Sequence, residues 1–208
     1  MQKKKPATRA GMDRRNFLKG STALSALALL PESLVARPPA IPDPPANVEY
    51  PNVAYADVNL NINGKSVGAR VDTRQTLLDF LREDQQLNGT RKGCNHGACG
   101  ACTVHINGQS TNACLQLVAL CNGSEVTTIE GLANGEELHP MQEAFINHDA
   151  MQCGYCTSGQ IMSAVAVVQN GHAKTRPEIR ELMSGNLCRC GAYNGIVDAV
   201  EEQIKKTA

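Results

Sequence analysis

The chain has 208 residues, room for one or two small domains, and with no Trp and only 3% aromatic residues any core in it is thin. A formal net charge of zero hides an asymmetry: residues 1–36 carry seven Lys or Arg against two Asp or Glu, and the remainder is acidic. That acidic remainder excludes a nucleic-acid footprint, which needs a basic face.

The first 36 residues read as an address. Arg14-Arg15 stand ahead of Phe17-Leu18-Lys19, and an uncharged stretch follows over residues 20–30. A membrane span needs about 20 apolar residues, so this stretch does not predict one. It fits the apolar region of a signal peptide behind a charged start, and the paired arginines assign it to the twin-arginine route. Residues 37–52 then form a spacer: six of the ten prolines sit at 38, 39, 42, 44, 45 and 51. Such a segment favours an extended polyproline conformation.

Residues 53–129 read as a strand-rich domain. From Tyr55 to Ile62 polar and apolar residues alternate, as in a half-buried strand. Asn63-Gly64 is a strong hairpin signal leading into a return strand through Val71. Asp72-x-x-Gln75 has the form of a capping box for a helix with the apolar stripe Leu77, Leu78 and Leu81, Phe80 flanking it. A glycine-rich loop over 93–102 follows, with Arg91 and Lys92 beside it. A chain wrapping an anionic group needs backbone angles closed to β-carbons, and N–H groups aimed inward. Thr103 to Ile106 with Asn107-Gly108 repeats the strand-and-hairpin signal, residues 115–120 read as a short helix, and 125–129 as a last strand. Strands around one main helix predict a β-grasp, ferredoxin-like fold.

Residues 130–208 are patterned as helices. Met141, Ala144 and Phe145 share one face, and Ile161, Val165 and Val168 another. Thr175-x-x-Glu178 is a capping box for a helix to about Met183, and 193–204 is amphipathic. Four helices of this length predict a small bundle, so the class is α+β: a β-grasp domain followed by a four-helix-bundle domain.

Eight of the nine cysteines fall into two quartets. Cys94, Cys99, Cys102 and Cys114 run C-x4-C-x2-C and then a fourth, the plant-type spacing for a [2Fe–2S] centre. Cys153, Cys156, Cys188 and Cys190 run C-x2-C, a long gap, and C-x-C, two close pairs that can each hold one iron. Both lie just ahead of predicted helices, whose positive ends favour a thiolate. Two such centres in one short chain make a wire for single electrons. Rival readings fit less of the pattern. Disulfides leave one of nine cysteines over, and C-x-C is too close for comfortable bridging. Four-thiolate zinc does not account for the ferredoxin spacing. A Rieske centre using His96 and His105 orphans Cys99 and Cys114, and a thioredoxin reading of Cys153-Gly154-Tyr155-Cys156 lacks its βαβ frame. Cys121 is a small buried apolar residue in this reading, and His139, His148 and His172 are surface or capping residues.

Gln152-Cys153-Gly154-Tyr155-Cys156-Thr157 and Gly185-Asn186-Leu187-Cys188-Arg189-Cys190-Gly191, joined to the first quartet through Gly131-Leu132 and Leu138-His139-Pro140-Met141-Gln142-x-Ala144-Phe145, carry a resemblance. Over about residues 53–204 the chain resembles the iron–sulfur subunit of the xanthine dehydrogenase/aldehyde oxidase molybdenum hydroxylases. With its leader it looks most like the small subunit of a bacterial periplasmic aldehyde oxidoreductase. The resemblance implies a heterotrimer. A large subunit holds molybdenum with molybdopterin cytosine dinucleotide, a middle subunit holds FAD (or a cytochrome takes the electrons instead), and this chain lies between them. It also implies that the helical-domain cluster is nearer the pterin, and that Gln152 and Cys190 match positions that hydrogen-bond it. No substrate chemistry is expected in this chain alone. Ser158-Gly159-Gln160 departs from the family's commoner Pro-Gly-Met. Folded export to the periplasm follows, since clusters load on reduced thiolates and an oxidising compartment attacks bare ones. The alternative is a free two-cluster carrier, or service to a hydroxylase of purines, other heterocycles or carbon monoxide.

Overall fold

Tyr55–Ile62 (β1) and Lys65–Asp72 (β2) pair antiparallel along their whole length, Tyr55 opposite Asp72 and Ile62 opposite Lys65. The hairpin turns on Asn63 and Gly64, both at positive φ (52° and 78°), the twist-matched geometry for a two-residue loop. Residues 52–207 are those described in this computed structural model, so the leader over 1–36 and all of the expected proline spacer but its last residue lie outside them. Thr103–Ile106 (β3) and Gln109–Asn112 (β4) repeat the device around Asn107 and Gly108. With Glu125–Thr127 (β5) the strands make one mixed sheet in the order β2-β1-β5-β3-β4, in which only β1 and β5 run parallel.

Three details differ from the sequence pattern, each for a local reason. β5 stops at Thr127, short of the expected 129. The Asn63 side chain takes the Thr128 N–H and donates to its hydroxyl, both at 2.9 Å, and the backbone turns there into a 3₁₀ turn, Ile129–Gly131. The first helix starts late, because the Asp72 carboxylate binds the Arg74 backbone and guanidinium instead of capping. Thr76 caps instead, its hydroxyl accepting from Asp79 N at 3.1 Å, so α1 is Leu77–Asp79 and runs on as a π-helical turn, Phe80–Asp84. Leu77, Leu78, Phe80 and Leu81 are all fully buried under the sheet. The predicted helix over 115–120 is two 3₁₀ turns, Ala113–Leu115 and Val118–Cys121. Between them the backbone at 116–118 bonds to Gln75 and Leu77, which breaks any continuous helix and leaves Leu115 and Leu120 exposed.

The second half is four helices: Pro140–Asn147 (α2), Thr157–Asn170 (α3), Arg176–Leu182 (α4) and Tyr193–Thr207 (α5). The Thr175/Glu178 capping box forms as predicted. His139 is a cap as well: its Nδ1 accepts from Met141 N, while Gln142 Oε1 takes the His139 N–H. Met141, Phe145, Ile161, Val165, Ile179, Ile196 and Val200 build a core separate from that of the sheet. Among the described residues no helix is long and apolar enough to cross a membrane.

Sheet and bundle share one seam. β3 is buried on both faces: Val104 points into the sheet's own core, while Thr103 and His105 meet α3. The close approach depends on Gly159, where a Cβ would collide with the Gly100 carbonyl and the Ala101 backbone.

Candidate iron–sulfur centres

The first quartet is carried by the loop before β3 and the turn after β4. Within it the thiols meet two by two: Cys94 with Cys99, and Cys102 with Cys114. The loop bends through positive φ at Gly97 (77°) and Gly100 (68°), which turns its N–H groups inward. His96 N and Ala98 N reach Cys94 Sγ at 3.5 and 3.2 Å, and Gly97 N reaches Cys114 Sγ at 3.2 Å. The His96 N–H, with help from the Cys99 thiol and Ala98 N–H, holds the Cys94 thiol down at about 6. Burial pushes Cys102 the other way, up to about 12. Arg91 and Lys92 do flank the loop, but Lys92 is engaged by Asp79 at 2.7 Å and Arg91 lies over the Tyr155 ring.

The second quartet is assembled from two distant segments. Cys156 immediately precedes α3, and Cys188 and Cys190 lie just ahead of α5. The sequence reads as two close pairs, 153 with 156 and 188 with 190. The fold crosses them: exposed Cys153 meets exposed Cys190, and half-buried Cys156 meets buried Cys188. Tertiary packing thus supplies each cysteine's partner from the other motif. Ala192 N reaches Cys188 Sγ at 3.4 Å, and Tyr193 Oη takes the Cys188 N–H at 2.8 Å. The Tyr155 N–H, with the Cys190 thiol, lowers the exposed Cys153 thiol, while burial raises Cys156 to about 12.

Among the described residues no three His, Cys, Asp or Glu side chains converge as they do around a single ion. Four thiols gathered in each quartet, with backbone N–H groups aimed at sulfur, fit a [2Fe–2S] centre, which four thiolates hold two per iron. Gln152, next to Cys153 in the chain, is exposed, as are Cys153 and Cys190, which meet each other. Cys121 is buried and outside both quartets, its thiol raised by burial, as an inert apolar residue should be. His148 pairs with Glu202.

The seam links the quartets directly. Leu187 N, adjacent to Cys188, donates to Cys99 O at 3.0 Å, and Asn186 Nδ2 donates to Gly100 O at 3.1 Å. Tyr155 Oη donates to Lys92 O at 2.8 Å. Sequence reasoning missed these ties. The small residues Gly159, Ser163 and Ala166 of α3 signal a close approach of that helix, but not these bonds.

Two cysteine quartets, one on a β-grasp sheet and one on a helix bundle, define a two-centre iron–sulfur protein. Family models agree: a 2Fe-2S iron-sulfur cluster binding domain matches residues 60–122, a [2Fe-2S] binding domain matches 128–201, and a TAT (twin-arginine translocation) pathway signal sequence matches 11–31. The aldehyde oxidoreductase iron-sulfur-binding subunit PaoA of Escherichia coli O157:H7 is 49% identical over 207 residues, 92% of this chain and 87% of that protein. The nicotine 6-hydroxylase small subunit of Paenarthrobacter nicotinovorans is 45% identical over 144 residues, 69% of this chain and 87% of its own. Among solved structures, a chain of quinoline 2-oxidoreductase from Pseudomonas putida 86 matches at TM-score 0.70 and 40% identity, covering 74% of this chain and 95% of that one. The chain belongs to the iron–sulfur small subunits of the xanthine dehydrogenase/aldehyde oxidase family of molybdenum hydroxylases, the electron-transfer subunits of these oxidoreductases.

Proposed function

We propose that this chain is the electron relay of a periplasmic, aldehyde-oxidising heterotrimer. Its partners are a large subunit with molybdenum and molybdopterin cytosine dinucleotide, and a middle subunit with FAD. In this reading residues 53–129 and 130–208 are the two cluster domains, behind a 1–36 leader and a 37–52 spacer. Cys94, Cys99, Cys102 and Cys114 hold one [2Fe–2S] centre; Cys153, Cys156, Cys188 and Cys190 hold the other. Each centre, when bound, takes up and returns one electron at a time.

The residues of the chain do the rest. Backbone N–H groups of 96–98 and of Ala192 point at ligand sulfur, where they stabilise added negative charge. Cys153, Cys190 and Gln152 form the open face for the pterin-bearing subunit, with exposed Met151, Leu187 and Tyr193 nearby in the chain. The buried thiols Cys102 and Cys188 lie where water is excluded. The observation that carries the reading is the meeting of eight cysteines as four pairs on a chain 49% identical to a named aldehyde oxidoreductase subunit. Purification of the native protein tests it. A stable complex with molybdenum, FAD and about four irons per copy of this chain, active on an aldehyde panel, is the expected result. A lone red-brown monomer would point to a free carrier, and activity only on purines or other heterocycles would move the substrate.

A further inference from the structure

Three of the ties across the seam end on the cysteine loop or the residues just before it, and a fourth does not. His105 Nε2 lies 2.8 Å from Met162 O, linking β3 to the middle of α3. His105 is buried, at 5% exposure. A carbonyl only accepts, so Nε2 carries the hydrogen and donates. Met162 O also lies within the helical ladder of α3, so the imidazole adds a second, lateral bond.

A buried polar side chain at an otherwise packed seam lowers stability unless it is bonded, and its use is geometric. Gly159, Met162, Ser163 and Ala166 are spaced for one helix face, small residues around one large side chain, and Met162 is fully buried there. To this packing, and to the ties near the start of α3, the bond at Met162 O adds a directional fix midway along the helix. The two elements it joins each begin directly after a cysteine: Cys102 precedes β3, and Cys156 precedes α3.

We propose that His105 is a positioning residue whose bond to Met162 O sets the register of α3 against β3, and with it the separation of the two cysteine quartets. The proposal rests on both quartets holding clusters. Its test uses the purified, cluster-loaded complex reduced with dithionite, comparing wild type, His105→Leu and His105→Gln. Low-temperature paramagnetic resonance reads the spin–spin interaction between the centres, and a thermal melt reads stability. In the Leu variant the interaction should weaken and the melting temperature fall by about 2–4 °C. Gln, which restores an N–H donor at similar reach, should return both towards wild type. A Leu variant with wild-type coupling overturns the proposal, as does a Gln variant disturbed as much as Leu. If Leu does not fold, the Gln variant decides alone: wild-type coupling supports the proposal and disturbed coupling overturns it. A wild type lacking two paramagnetic centres would instead sink the cluster reading beneath it.

Discussion

The two cysteine quartets are held by different means. In the sheet half, three of the four cysteines come from one nine-residue stretch, and three loop N–H groups reach cysteine sulfur. In the helical half the cysteines come from two segments more than thirty residues apart, the pairs cross between them, and the N–H groups that reach sulfur, those of Tyr155 and Ala192, belong to different segments. A local loop can shape its site before the domain around it is complete. A site whose pairs cross requires α3 and α5 to be docked first. The sheet-half site is therefore a property of a loop, and the helical-half site a property of a bundle.

The sharpest way to break this contrast is to remove one ligand at a time. Cys156→Ala should lose the helical-half centre, lowering iron from about four to about two per chain while the other paramagnetic signal persists. Cys94→Ala should do the reverse, and loss of both signals in either variant would show that the sites are not separable. Next in size is the joint between halves. Gly159→Val drives a side chain into the Gly100 carbonyl and should destabilise by about 1–3 kcal/mol, read by denaturant unfolding. An unchanged midpoint would mean the seam is looser than its contacts imply. Within the bundle alone, Thr175→Ala removes the α4 cap and should cost about 1 kcal/mol, with the sheet-half signal unaltered.

The smallest effect is a pH dependence confined to the bundle. Burial holds His139 below the ordinary histidine value, and its Nδ1 can accept from Met141 N only while unprotonated. The folded state thus binds this proton less tightly than the unfolded chain. Its contribution is fully present above about pH 6.5 and drains away as pH falls through the lowered folded value. His139→Asn, which keeps a capping oxygen, should flatten this dependence, read by denaturant unfolding across pH. An unchanged slope in that variant would remove His139 from the account.

Much of the fold was legible because its signals are local. Asn-Gly at 63–64 and 107–108 forces its hairpins through residues that tolerate positive φ. The Thr175/Glu178 box closes on itself within one turn. The misreadings have separate causes, one local and one distant. Asp72 lost its capping role to Thr76 because Arg74 engaged it, and the stretch 115–120 was split by bonds to Gln75 and Leu77.

The two-quartet cysteine spacing and the α+β order were legible in the chain's own residues, since cysteine spacing and hydrophobic period are written in consecutive positions. Which thiol faces which, how near the two quartets lie, and that β3 is buried on both faces were decided only by the tertiary structure. The cause is physical. Pairing of Cys153 with Cys190, and contact of His105 with Met162, are consequences of how α3 packs on the sheet and α5 on α3, and no local preference encodes a docking angle.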